Sequence, residues 1–419
     1  MLLNVVDTLM LARFDASAVG TAGIAGAVSL LVLFCTAGLI FGIDPIVSQA
    51  HGRGDAEAAA RALQRAVVIG LIASLPIAIV YLGSEPILAL IRADLAPLAA
   101  SYLRAQMPGI PFFLLFVALR QYLQSRGIVR PAMLVVLVAN LVNAGLSWIL
   151  LFGRLGFPEL GVVGSGLATA AVQMFACLAL VLVTRIQRLH AAAWTPWSRE
   201  VFRWARFREI LRIGVPIWLQ IELGLGGVVV TTAIASRFSL SELAGHEISM
   251  KLAGLVFQVP LGLSLALSAR LGHHLGQGDI EAARGAIRTG LWLSPLAMAV
   301  PALTFILAPG PVAGLLTHDT AVIAVCVGVF PIIGALHAFD SAQVVATGAL
   351  RGQGRTMPAT WSNFLGHWII GLPLGAWLAL DRGWGVEGIS WGMTVGLAVV
   401  ALLLVSLALG SRPRPLVTR

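Results

Sequence analysis

The sequence predicts an all-α polytopic membrane protein with twelve transmembrane helices, the first of them truncated, in two six-helix bundles. Three observations lead to this fold class: the composition, eleven long apolar runs and an internal repeat. The 419 residues are 58% hydrophobic and 11% charged, whereas about a quarter of the residues of a soluble domain are charged. The net charge of +9 does not indicate nucleic-acid binding, because the basic residues form short clusters between apolar runs.

Eleven apolar runs are long enough to cross a bilayer, which takes roughly 20 residues. Before them, residues 1–11 form an apolar run about half that long, which we count as helix 1. Helices 2 to 12 are predicted at about 25–50, 66–84, 98–122, 131–153, 161–184, 209–236, 243–272, 286–308, 321–349, 358–380 and 386–410.

The positive charges predict the orientation of these helices, because Lys and Arg concentrate in cytoplasmic loops. Nineteen arginines lie in the C-terminal tail or in the loops after helices 2, 4, 6, 8 and 10. Both termini are therefore predicted to be cytoplasmic. The other loops hold five arginines: Arg13, Arg92, Arg154, Arg237 and Arg382.

The two halves of the chain repeat each other. The segment GRGDAEAA at 52–59 matches GQGDIEAA at 276–283 in six of eight positions, a shift of 224 residues. Further matched pairs are Gly161 with Gly385 and, at a shift of 227, Gly127 with Gly354.

An even number of helices separates equivalent elements, so the two halves run in the same direction. They are predicted to be related by a pseudo-two-fold axis along the membrane normal, as parallel repeats are in transporters. We expect an N-terminal lobe at 1–188, a cytoplasmic linker at 189–208 and a C-terminal lobe at 209–419. If helix 7 begins near Glu209, its counterpart begins near 209 − 224 = −15. An apolar half-helix of about sixteen residues is therefore expected upstream of Met1.

Ionisable groups inside a span cost about 2.5–3.5 kcal/mol each on insertion scales, which makes them functional candidates. Glu222 in helix 7 and Asp340 in helix 10 lie well inside their spans. Two such carboxylates in one half are expected to exchange a cation, either H⁺ or the metal ion Na⁺. His337, about one turn before Asp340, is predicted either to relay protons or to hydrogen-bond in the core. Asp7 lies in half-helix 1.

Other polar groups have simpler interpretations. Asp44, which precedes a proline near the inner end of helix 2, is expected to hydrogen-bond to neighbouring backbone. Glu247 and Lys251 have the spacing of an i, i+4 ion pair near the outer surface. Five further side chains are expected to form interhelical hydrogen bonds: Asn140, Asn143, Ser147, Asn363 and His367.

The sequence contains no convincing enzyme motif. HExxH, GxxxxGK[ST] and paired CxxC are absent, and GxSxG at 388–392 opens an apolar span rather than a strand-turn-helix elbow. We therefore predict no enzymatic activity and no cofactor, and expect an ion gradient to supply the energy.

Six segments, taken in their order and spacing, resemble a known family. They are VDTLMLA in helix 1, DPIVSQAHGRGD in helix 2, RPAMLVVLVANLVNAGLSWIL in helix 5, ELGVVGSGLATA in helix 6, AGHEISMKLAGLVFQVPLGLSLALSARLGHHLGQGD through helix 8 and FDSAQVVATGALRGQG in helix 10. From Val6 to about Leu407 the chain resembles the multidrug and toxic compound extrusion (MATE) transporters, in particular the NorM-like branch.

The resemblance implies two six-helix bundles that alternate between outward- and inward-facing forms and export amphipathic, usually cationic compounds in exchange for H⁺ or Na⁺. It implies that Glu222 and Asp340 match the cation site of the C-terminal lobe. It also implies a polar site in the N-terminal lobe, where Asp7 and Asn143 match the family's residues and Ser147 replaces a second asparagine.

One departure bears on the coupling ion. NorM-like sequences often have a tyrosine one turn before the helix-10 aspartate, and this chain has Leu336. Hard cations need several oxygen ligands, whereas proton transfer needs only a titratable group. The sequence therefore favours H⁺, with Na⁺ as the alternative.

Two other functions agree less well with the sequence than efflux does. A flippase for lipid-linked precursors, from the same superfamily, is expected to line its cavity with cationic side chains, but Glu222 and Asp340 are acidic. A polytopic enzyme or a receptor should show a polar cluster at one interface. The expected partners are amphipathic small molecules and the lipid bilayer, and no nucleic acid is expected to bind. The protein is expected to be a monomer in the cytoplasmic (inner) membrane.

Overall fold

The structure is a computed structural model that describes residues 16–189, 195–410 and 412–416. Predicted helix 1, with Asp7, and part of the predicted linker lie outside the described residues. The described chain is almost entirely helical, with short turns between the helices, as the sequence predicts.

The described α-helices are numbered here in chain order. The first half of the sequence contains α1 (Ala16–Ile40), α2 (Asp44–Gly52), α3 (Ala56–Leu82), α4 (Ser84–Ala89), α5 (Ala96–Gln106), α6 (Ile110–Ser125), α7 (Arg130–Phe152) and α8 (Gly161–Ile186). The second half contains α9 (Trp204–Ala235), α10 (Leu240–Val256), α11 (Gln258–Gln277), α12 (Ile280–Leu307), α13 (Pro309–Gly314), α14 (Thr320–Gly352), α15 (Met357–Asn363), α16 (Leu372–Ala376) and α17 (Gly385–Gly410).

Eleven helical segments among the described residues are long and apolar enough to span a membrane, so the predicted helices 2 to 12 are confirmed. Several of these spans are interrupted. A 3-10 turn at Phe41–Ile43 separates α1 from α2. The span at Met357–Asp381 consists of α15, a π-helix at Phe364–Gly371, α16 and a second π-helix at Trp377–Asp381. We call this span the helix-11 segment.

The backbone reproduces the internal repeat. Matched glycines adopt matched left-handed conformations, with φ of 73° at Gly54 and 77° at Gly278. In both halves the next residue, Asp55 or Asp279, caps the following helix by accepting a hydrogen bond from the amide three residues later, at 2.9 and 2.8 Å. The repeated motif is thus a turn followed by a helix N-cap, which requires glycine and aspartate for conformational reasons.

Two compact units make up the fold. One contains the described residues up to Ile43 together with those between Asp55 and Gly214, and the other contains Asp44–Gly54 together with the described residues from Val215 onward. The short helix α2 therefore packs with the second unit although it belongs to the first half of the sequence. The lobe boundaries expected from the repeat stay a prediction.

Within the second unit, α2 crosses α11, and residues related by the repeat contact each other at the crossing. A Cβ atom on Gly52 would lie 3.0 Å from the Cα of Gly276, and it would collide with the carbonyl oxygen of His273. Only glycine permits this approach. Gly276 is Gly52 shifted by 224 residues, so the contact joins two positions that the repeat relates.

The core of the second unit lies around α14. One apolar cluster joins α14 to α11, α12 and α17 toward its C-terminal end, with Leu271 and Leu350 fully buried. Another surrounds its N-terminal part and includes Phe305 and Phe330. The residues of the candidate site on α14 lie between these two clusters in sequence.

Candidate cation site

Glu222 lies midway along α9, a 32-residue helix that contains Pro216. Its side chain is half-buried. Within the part of the chain that the structure describes, Glu222 has no hydrogen bond and no ion pair. A carboxylate in an apolar span without a cationic partner is available to a cation from solution.

Asp340 lies on α14 and is 8% exposed. The side-chain amide of Gln343, one turn later, donates a hydrogen bond of 3.0 Å to Asp340 Oδ1. Among the described residues Asp340 has no ion pair with a lysine, arginine or histidine. One neutral donor leaves most of the acceptor capacity of a carboxylate unused.

His337 is buried one turn before Asp340, with 1% of its surface exposed. Its ring stacks on Phe305 of α12, with centroids 5.7 Å apart and planes inclined by 25°. Neither ring nitrogen has a hydrogen-bond partner in residues 16–189, 195–410 or 412–416. The hydrogen bond expected if His337 were a core residue is therefore not observed, and an aromatic contact takes its place.

The structure thus brings Asp340 and His337 onto one helix at a spacing of three residues. No hydrogen bond or ion pair between described residues joins either of them to Glu222. The described residues also contain no group of three or more His, Cys, Asp or Glu side chains that could hold a metal ion. The direct pairing of Glu222 with Asp340 around Na⁺ or H⁺ stays a prediction.

Asn143 and Ser147 lie one turn apart on α7, in the first unit, and both side chains are buried. This spacing places them on one side of the helix. Asp7, their expected partner, lies outside the described residues, so the polar site of the N-terminal lobe also stays a prediction.

The expectation of interhelical hydrogen bonds was wrong for three polar residues. The side-chain amides of Asn140 and Asn363 donate to the carbonyl oxygens of Val136 and Ala359, at 2.7 and 2.8 Å, within their own helices. His367 Nδ1 contacts the carbonyl oxygen of Asn363 at 3.1 Å. A side chain in an apolar span can pair with the carbonyl four residues earlier, so it needs no partner on another helix.

Polar contacts that the sequence did not indicate attach α9 to the helix-11 segment. Thr360 donates to the carbonyl oxygen of Pro216 at 3.0 Å, and Gln220 donates to Thr360 Oγ1 at 2.9 Å. The indole nitrogen of Trp368 donates to the carbonyl oxygen of Leu223, next to Glu222, at 3.1 Å. A glutamine inside a span, as at 220, was the one available sequence signal.

Asp44 has a partner on another helix. Its side chain is 2% exposed, and its Oδ2 accepts a hydrogen bond of 2.6 Å from Ser268 of α11. Its charge also acts on the guanidinium of Arg351 at the end of α14. The predicted bond to neighbouring backbone was therefore an incomplete account, since Asp44 links α2 to α11 through Ser268 and also interacts electrostatically with Arg351.

The outer pair matches the prediction. Lys251 Nζ lies 4.0 Å from Glu247 Oε2, with both side chains substantially exposed. At that distance and exposure the pair contributes little to stability. The pair is a contact within one helix, as its i, i+4 spacing predicted.

Three arginines that belong to predicted spans rather than to loops were missed: Arg104, Arg120 and Arg270, of which Arg104 forms an ion pair of 3.0 Å with Glu85. Arg120 of α6 and Arg270 of α11 are exposed on the protein surface. Neither has an ion pair with a described acidic side chain. Their positions within apolar runs were the signal that would have identified them.

The comparisons with known proteins agree with this arrangement. The MatE family model matches residues 1–149 and 216–377, more than half of the chain. The chain belongs to the MatE family. The match covers both Glu222 and Asp340, and it covers parts of both repeats.

Relatives of the MatE-family chain include the multidrug resistance protein NorM of Photobacterium profundum, 30% identical over 95% of this chain and 89% of that protein. NorM of Aliivibrio fischeri is 29% identical over 95% of this chain and 88% of that protein. Among solved structures, MATE in the bent conformation superposes with a TM-score of 0.87 at 18% identity, covering 97% of this chain and 90% of the other. A eukaryotic MATE transporter gives 0.86 at 20% identity, covering 96% and 90%. The predicted family and the two-bundle fold are confirmed, and the chain is a multi-pass membrane transporter.

Proposed function

We propose that this MatE-family chain is a multidrug efflux antiporter. It exports amphipathic cationic compounds in exchange for H⁺ or Na⁺ by alternating access. We place it in the cytoplasmic membrane as a monomer, with both termini inside. Support comes from the relatives named as multidrug resistance proteins and from the nineteen arginines in the loops assigned to the inside.

One observation carries the coupling mechanism: Glu222 and Asp340 lie within spans, and neither has a cationic partner among the described side chains. A carboxylate without a resident counter-charge in an apolar medium gains most by binding a cation. It can hold either the coupling ion or the positive charge of a substrate. Competition between the two for the same carboxylates couples the uptake of one to the release of the other.

His337 acts in this proposal as a proton-handling group beside Asp340. Its ring nitrogens have no partner among the described residues, so one can accept a proton and the other can donate one. Asn143 and Ser147, with Asp7, form a second polar site in the N-terminal lobe. No enzymatic step and no cofactor is required, because the gradient provides the free energy.

A flippase for lipid-linked precursors is not favoured. Pyrophosphate would require several cationic groups that converge on one site, whereas the groups midway along α9 and α14 are carboxylates. The relatives reported above are named for multidrug resistance, which supports export of small molecules.

The proposal is tested by Glu222→Gln and Asp340→Asn, which preserve side-chain size and remove the charge. In proteoliposomes with an imposed cation gradient, each variant should lose gradient-driven transport of a cationic dye while reconstituting at the wild-type level. Matched controls are Glu281→Gln and Asp381→Asn, because both residues are exposed and lie near helix ends. Gradient-driven transport at the wild-type rate by both site variants would refute the assignment.

A further inference from the structure

The helix-11 segment contacts α9 through a row of polar contacts on either side of Glu222 in sequence. The carbonyl oxygens of Pro216 and Leu223 accept from Thr360 and Trp368 at 3.0 and 3.1 Å. Gln220, between them, donates to Thr360. The row follows the helical spacing of four and three residues, so these three positions share one side of α9.

Glu222 projects about 100° around the helix from Leu223, at 100° per residue. Gly226, four residues after Glu222, lies about 40° from it around the helix, so the part of α9 that the Trp368 ring touches adjoins the side that carries the carboxylate. Any rotation of α9 about its axis, or any shift along it, moves Glu222 with it. The contacts of Pro216, Gln220 and Leu223 consequently control where the carboxylate lies.

Trp368 is the contact nearest to Glu222. Its indole N–H bonds to the residue that follows Glu222, and its ring lies against α9 at Gly226. A Cβ atom on Gly226 would come within 3.0 Å of Trp368 Cζ2 and 3.4 Å of Cη2. A larger residue at 226 would push the ring outward, so glycine allows both the ring contact and the hydrogen bond.

The helix-11 segment is also held close to α17 by glycines. A Cβ atom on Gly396 would lie 2.9 Å from the Cα of Gly371, and one on Gly375 would lie 3.1 Å from the carbonyl oxygen of Ile389. Backbones this close leave little room for sliding, as in other helix pairs joined by small residues. Trp368 thus extends from a π-helical turn that packs closely against α17, and such turns often occur at functional sites.

We propose that Trp368 is a positioning residue for Glu222. By holding the carbonyl of Leu223 from the helix-11 segment, it sets the orientation of the Glu222 carboxylate and hence the apparent affinity for the coupling cation. This inference rests on the proposed function, because it takes Glu222 as a cation-binding group. Trp368 acts through the backbone of α9 and does not itself bind the cation.

The first test compares Trp368→Phe with Trp361→Phe in reconstituted protein. Phenylalanine keeps an aromatic ring and removes the N–H donor. Trp361 lies on the same span, is 62% exposed, and has no hydrogen bond with the described residues. Dye transport is measured as a function of the driving cation concentration, first for H⁺ and then for Na⁺ at clamped pH.

Trp368→Phe should raise the half-saturating cation concentration by roughly two- to tenfold, the range expected for loss of one hydrogen bond. The maximal rate per reconstituted molecule should stay within about twofold, and Trp361→Phe should behave as wild type. A purely structural role would lower the maximal rate and leave the half-saturating concentration unchanged, and that outcome would overturn the inference.

A second pair of variants covers the case in which Trp368→Phe fails to fold. Gly226→Ala places a methyl group against the Trp368 ring, whereas Gly224→Ala, two residues earlier on the same helix, meets no atom within 4 Å. Both add one Cβ to α9 and change its helix propensity equally. Gly226→Ala should weaken the cation dependence in the same direction as Trp368→Phe, and Gly224→Ala should not.

The two hypotheses fail in different ways. If Glu222→Gln keeps the wild-type cation dependence, Glu222 is not the coupling site, and the proposed function is wrong at that residue. If Glu222→Gln abolishes that dependence while Trp368→Phe and Gly226→Ala both leave the half-saturating concentration at the wild-type value, only the positioning role is wrong.

Discussion

Asp44 and Asp340 are both aspartates buried in apolar spans, but their surroundings differ. Asp44 accepts a hydrogen bond of 2.6 Å from Ser268 and lies within the field of the Arg351 guanidinium. Asp340 accepts a bond from the neutral amide of Gln343 and has no cationic partner among the described residues. Depth in the membrane therefore does not by itself identify a coupling residue. We propose that the absence of a resident counter-charge marks such a residue.

Glu222 resembles Asp340 rather than Asp44, because it has no cationic partner among the described residues. It is half-buried, without an ion pair among the described residues, and it lies next to the Trp368 contact. Asp44, in contrast, links α2 to α11 and so contributes to the packing of the second unit. We therefore propose a role in stability for Asp44 and a role in cation binding for Glu222 and Asp340.

The largest difference is expected when Asp44 and Asp340 are neutralised in parallel. Asp44→Asn should destabilise the protein by roughly 2 kcal/mol, because a buried charge-assisted hydrogen bond is weakened and Arg351 loses its counter-charge. The molecules that remain folded should keep the wild-type half-saturating cation concentration. Thermal unfolding in detergent and transport per folded molecule measure the two effects separately.

Asp340→Asn serves as the opposite control in that experiment. Its melting temperature should equal or exceed that of the wild type, because a desolvated and unpaired carboxylate is removed, while transport is lost. If Asp44→Asn instead abolished the cation dependence at full stability, the distinction between the two aspartates would be wrong.

A smaller effect is expected at His337, and it tests whether Asp340 receives protons through this neighbour. His337→Phe keeps a ring that can stack on Phe305 and removes both nitrogens. If His337 relays protons to Asp340, H⁺-driven transport should slow by roughly a hundredfold, the lower end of the range for a proton-transfer group, with Na⁺-driven transport unaffected. Equal rates in His337→Phe and wild type under a pH gradient would show that the imidazole is only a core ring.

The sequence predicted what depends on local composition. Eleven spans follow from run length and hydropathy, and the turn and cap at Gly278 and Asp279 follow from a repeated motif. It could not predict the partners of polar side chains, because these depend on which helices pack together. Asn140, for example, bonds within its own helix.

The bond between Asp44 and Ser268 was nevertheless within reach of the sequence. The two residues are 224 positions apart, the shift of the internal repeat, so each is the other's counterpart. Gly52 and Gly276, also 224 positions apart, contact each other in the same way. The Trp368 contact has no such signal, because it joins helices that the repeat does not relate.

The central claim is that cations and substrates compete for Glu222 and Asp340, and reciprocal flux tests it most directly. Proteoliposomes that contain the protein are loaded with a cationic dye and diluted into dye-free buffer, without an imposed ion gradient, while lumenal pH and Na⁺ are recorded. Outward flow of dye should drive H⁺ into the lumen and acidify it, and Asp340→Asn should abolish the acidification. Transporter-dependent dye efflux that moves neither H⁺ nor Na⁺ inward would contradict the account.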